Sequence, residues 1–149
     1  MGRVINPEGA GKERTQLMRS VVLALRELMQ QSSADLKTKD LAAYIALALQ
    51  AIDETVEVSV VAWEKRDYWL KADRFRMEWS WANRMGASMR DAVIAEDWPK
   101  VAQTAAALTE KVKKTAVPKR HGLGEPWNGA WERLQATAIN GTRQRPNPG

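Results

Sequence analysis

The chain has 149 residues, no cysteine, one histidine and a net charge of +5, which excludes disulfides, thiolate nucleophiles and thiolate zinc sites and leaves little material for a catalytic triad. Its length suits one domain that buries well over half of its unfolded surface without a metal or covalent staple. The charge is lopsided: residues 1 to 110 carry 15 Lys and Arg against 16 Asp and Glu, whereas residues 111 to 149 carry 8 against 2, so the basic character is C-terminal and points to a polyanionic partner.

Residues 1 to 11, MGRVINPEGAG, read as a flexible arm. They lack the apolar core of an export signal, and Asn6 stands where a myristoylation signal needs Ser or Thr. Gly9-Ala10-Gly11-Lys12 is followed by Glu13 rather than Ser or Thr and is preceded by no strand pattern, so it is not read as a phosphate-binding loop.

From Lys12 to Gln31 apolar residues recur at Leu17, Met18, Val21, Leu25, Leu28 and Met29, the stripe of an amphipathic helix. Lys12, Arg19 and Arg26 repeat every seven residues along its outer side, where they can track phosphates. Asp35 is placed to cap a second helix, Leu36 to Lys65, whose buried row runs through Leu41, Ile45, Ala48, Ile52, Val56, Val60 and Trp63. Residues 56 to 61, VEVSVV, alternate like a strand but have no turn residues around them, so the helical pattern prevails. The uncharged run from Leu41 to Ile52 is too short to cross a bilayer.

A third helix follows from the 4-3 spacing of Tyr68, Ala72, Phe75, Trp79, Ala82, Gly86, Met89 and Val93, which puts Tyr68, Phe75 and Trp79 in the core. Trp69, Met77 and Trp81 fall off that row and are expected to meet a cap, a second copy or a ligand. Asp97 and Pro99 open a fourth helix carrying Val101, Ala105, Leu108 and Val112 and ending in Lys111, Lys113 and Lys114. Beyond it, residues 115 to 139 read as a linker, containing Lys119, Arg120 and the lone His121, and then a short amphipathic helix with Trp127, Trp131, Leu134 and Ala138 on one face. Residues 140 to 149, with Arg143 and Arg145, read as a disordered basic tail.

The expected fold is all-α: an up-down-up-down four-helix bundle over residues 12 to 114, with a long central hairpin and the short C-terminal helix appended. The second and third helices outrun the first and fourth, so the hairpin tip should project, and the final helix, bearing Trp127 and Trp131, is expected to cover its aromatics or meet a partner.

The leading functional expectation is a non-catalytic accessory or assembly subunit. It would bind a nucleic-acid backbone or an acidic protein through Lys111, Lys113, Lys114, Lys119, Arg120, Arg143 and Arg145, with Lys12, Arg19 and Arg26 as a second basic group. In size and class alone it is similar to the small helical subunits of ribonucleoprotein effector complexes. The alternative is a self-associating scaffold with Trp69, Met77, Trp81, Trp127 and Trp131 at an interface between copies or with another protein. A third reading comes from Glu54-x-x-Glu57 and Glu64-x-x-Asp67, which resemble the carboxylate pairs of all-α nucleoside triphosphate pyrophosphohydrolases and would imply a magnesium-dependent hydrolase. There the pairs face each other across two helices, whereas here both lie on one. No cofactor, metal or membrane association is expected, and the cytoplasm is the expected compartment.

Overall fold

The computed structural model describes the backbone of residues 6 to 144 and the side chains of residues 6 to 138. Five helices pack together: α1 (Ala10–Leu28), α2 (Leu36–Glu64), α3 (Trp69–Ile94), α4 (Trp98–Val112) and α5 (Ala130–Gln144). There is no strand among the described residues, and VEVSVV is helical. None of these helices is long and apolar enough to cross a membrane.

Two starts are set by carboxylate caps. Asp35 accepts the Thr38 amide at 3.0 Å to open α2, and Asp97 accepts the Lys100 amide at 3.3 Å to open α4, where Pro99 gives up an amide hydrogen that would have had no partner. The cap geometry holds the Asp35 carboxyl below its usual pKa, chiefly through the Thr38 backbone bond.

The second helix is the axis of the molecule. It packs most extensively on α3, then on α1, and also on α5, while α3 and α1 share α4. Its row Leu41, Ile45, Leu49 and Ile52 is fully buried. Burying each such side chain contributes about 1.5 to 3 kcal/mol relative to leaving it in water. The α2–α3 crossing is close at Gly86, where a Cβ would lie 3.1 Å from that of Leu49. Gly86→Val should therefore destabilise the protein by about 1 to 3 kcal/mol despite the better helix propensity of valine over glycine, and urea denaturation measures it.

The α2–α3 turn falls at residues 65 to 68, where the sequence places it. Beyond the main core a smaller cluster of Val56, Val60 and Ala72, roofed by Trp63, Phe75 and Trp79, holds the hairpin end together.

Four expectations are corrected. Tyr68 is 53% exposed, because it precedes the first turn of α3 and helical spacing does not govern a turn residue. Trp81 is only 8% exposed and belongs to the main core: α3 packs against both α2 and α4, so its buried surface is wider than one 4-3 row, and Ala92, also off that row, is buried too. The C-terminal helix does not cover the hairpin tip. It is anchored at Asp40, near the start of α2 and about 36 Å along that helix from Glu64.

The link between α4 and α5, which can span up to roughly 55 Å when extended, returns across α1 to bring α5 there. Trp127 is therefore 5% exposed in the protein's own core, and Trp131 is half-buried beneath Lys39. The fourth correction is at the end of the chain. Helix α5 continues to Gln144, so residues 140 to 144 of the expected tail are helical, while residues 1 to 5 of the expected arm and residues 145 to 149 lie outside the described residues.

Candidate functional site

One residue from each of the two basic groups that the sequence keeps far apart meets the other at the seam of α1 and α4. Arg26 and Lys113 line one groove there together with Val22, Met29 and Thr109. About two turns back along α1, Arg19 borders a second cleft with Thr115 and Ala116, at the exit of α4. Lys12 is exposed at the start of α1, and Lys111, Lys114, Lys119 and Arg120 are exposed at and just beyond the end of α4.

Lysines at a helix C-terminus complement the negative end of its dipole. Lys113 also pairs with Glu110 at 2.9 Å, an exposed and hence weak contact. Among the described residues neither Arg19 nor Arg26 has an ion-pair partner. The side chain of Arg143, and Arg145 altogether, lie outside the described residues.

Next to this face is a feature the sequence reading missed. Arg14 is only 9% exposed. Its Nε donates to Thr55 Oγ1 at 3.1 Å, and its Nη2 donates to the Thr55 carbonyl at 2.9 Å and to Ser59 Oγ at 2.8 Å. The guanidinium lies 4.8 Å from the Phe75 ring centre and 5.6 Å from that of Trp79. All these partners are neutral. Burial lowers the Arg14 pKa from its usual value, yet an arginine stays charged, so a cation is fixed in the wall of the bundle by dipoles and ring faces. The signal was in the sequence: Ala10, Arg14, Met18, Val21 and Leu25 form one buried row, and Arg14 is its only charged member.

The hairpin tip keeps part of the expected interface. Trp69 is 56% and Met77 76% exposed, and Tyr68 and Leu70 are exposed beside them. A shallow groove of about 810 Å³ runs between Trp63, Trp69, Lys71, Arg74 and Phe75. Trp63 meets Phe75 edge-on at 4.8 Å, and Lys71 Nζ sits 4.5 Å from the Trp63 ring centre. Trp81, Trp127 and Trp131 are not part of this surface.

The carboxylate pairs are occupied differently from a metal site. Arg76 of α3 reaches Glu57 at 3.2 Å and Glu64 at 3.8 Å, and its own pKa is raised, chiefly by the hydrogen bond to Glu57. Among the described residues no three His, Asp or Glu side chains are grouped so as to hold a metal ion. His121 uses Nδ1 to accept the Leu123 amide at 3.0 Å, which makes it part of the link's own turn.

No family model, no curated protein and no solved structure matches the chain.

Proposed function

We propose that the protein is a non-catalytic helical-bundle binding subunit that grips a nucleic-acid backbone through the basic face of α1 and the end of α4. One observation carries this reading: Arg26 and Lys113, distant in sequence, line the same groove, while Arg19 borders the next cleft along α1 and Lys12, Lys111, Lys114, Lys119 and Arg120 are exposed on the same two elements and the link that follows. Phosphate backbones reward density of positive charge over detailed geometry, and a face assembled from two elements supplies that density where either alone would be an ordinary solvated edge.

Fluorescence anisotropy of labelled single-stranded RNA and DNA over a salt series tests it. Wild type should bind both with little sequence preference, and the slope of log K against log salt should reflect several phosphate contacts. Replacing Arg26 and Lys113 with Gln should weaken binding by about tenfold at low salt and flatten the slope by about 0.7 per cation removed. Both residues are exposed, so the fold should be retained. A wild type without retention on either polymer at low salt sinks the proposal.

A second reading, self-association through the hairpin tip, is favoured by the exposure of Tyr68, Trp69 and Leu70 around one groove, with Met77 exposed farther along α3. Such a cluster of large apolar side chains is unusual on a monomer. Sedimentation equilibrium would then show a dimer that Trp69→Lys dissociates. The hydrolase reading gains nothing from Glu57 and Glu64, which Arg76 engages.

A further inference from the structure

The cleft at the first turn of α1 is lined by Gly11, Arg14, Thr15, Arg19, Trp79 and Thr115, among others, and encloses about 360 Å³. Among the described residues no carboxylate lines it. Two guanidinium groups border it, and neither is neutralised within the described residues: Arg14 is held by hydroxyls, a carbonyl and ring faces, while Arg19 has no ion-pair partner and its Nε is buried with no hydrogen-bond acceptor. A buried donor left without an acceptor costs stability, and native structures seldom keep one unless something else supplies the acceptor.

Arg14 spends Nε and Nη2 on α2, which leaves Nη1 outside those bonds. That nitrogen lies 4.0 Å from where a Cβ on Gly11 would sit, and Gly11 is itself on the cleft wall. Helix α1 begins at this point, and its N-cap, Gly9, offers no side-chain acceptor to the first-turn amides. Two arginine forks thus border one space, with Thr115 and Trp79 beside it.

We infer that this cleft is a built site for a single phosphate group, with Arg14 as its fixed wall and Arg19 as the side chain that closes on the ligand. Guanidinium forks match the oxygens of a phosphate, and a dianion balances two cations better than a carboxylate does. The site adjoins the face proposed for nucleic acid but needs no polymer, so the two can fail separately. Loss of nucleic-acid binding with phosphate binding intact would remove the function above and leave the site, and the reverse result would remove only the site.

The test is a titration of the full-length protein with inorganic phosphate, following the arginine Nε–H and tryptophan indole signals by ¹H–¹⁵N NMR against sodium chloride at matched ionic strength. The signals of Arg14, Arg19 and Trp79 should shift and saturate with phosphate and not with chloride. Arg19→Gln should weaken the response by about tenfold or more, as expected for losing a charge-assisted contact. Ala116→Glu, at an exposed position on the cleft wall, should abolish it by putting a carboxylate beside the two cations while leaving the buried groups untouched.

A parallel arm uses dimethyl phosphate. Saturation by both ligands assigns the site to backbone diesters as well as free phosphate, and saturation by inorganic phosphate alone assigns it to free or terminal phosphate. Shifts equal to those with chloride, equal shifts with acetate, or an unchanged response in Arg19→Gln and Ala116→Glu overturn the proposal.

Discussion

Trp81→Ala should lower the free energy of unfolding by about 3 to 5 kcal/mol, whereas Trp69→Ala, on the same helix but at the exposed tip, should cost less than about 1 kcal/mol. Trp81 is buried in the main core and stacks on Trp79 at 5.7 Å between ring centres, so its removal leaves a large cavity and strips one face of its neighbour. Trp69 is mostly in water and has little to lose in the isolated protein. Urea denaturation of both variants measures the difference. Equal losses would mean that α3 does not bury the face described here.

Asp40→Ala should be the most damaging change to a polar side chain, with an expected loss of about 2 to 4 kcal/mol. Its carboxylate accepts the Gly129 amide at 3.3 Å and the Trp131 amide at 2.9 Å, so a residue of α2 caps the start of α5. Hydrogen bonds to a charged acceptor are about twice as strong as neutral ones, and here the negative charge also meets the positive end of the α5 dipole. Without that cap, Trp127, Ala130 and Leu134 lose the anchor that holds them in the core. Amide hydrogen exchange over residues 130 to 138 should accelerate well before the rest of the chain opens, and Asp40→Asn, which keeps an acceptor oxygen, should lie between the two. Unchanged protection in α5 would show that apolar packing alone holds it.

What could be read in the sequence follows from how local each signal is. The caps at Asp35 and Asp97, the helices and the position of the α2–α3 turn depend on residues within one or two turns of each other, and they were legible. Trp81 was misplaced because a single 4-3 row assumes one neighbour, and α3 has two. Placement of α5 depends on where Asp40 sits after the chain has folded back some 90 residues, which no local pattern records.

The candidate site divides in the same way. Lys113, Arg26 and Arg19 were identifiable as basic residues, but that they share one seam of the bundle is a tertiary fact. Arg14 was legible in principle as the one charge on a buried row; its role is set by Thr55 and Ser59 of another helix.

The central claim is that a polyanion is held on the α1–α4 face. Hydrogen–deuterium exchange of the protein with and without a short single-stranded RNA, at low salt, tests it most directly. Binding on this face should add protection in α1 from Ala10 to Arg26 and in residues 109 to 121, with residues 61 to 77 at the hairpin tip unchanged. Protection confined to the hairpin tip, with α1 and the end of α4 unaffected, would contradict it.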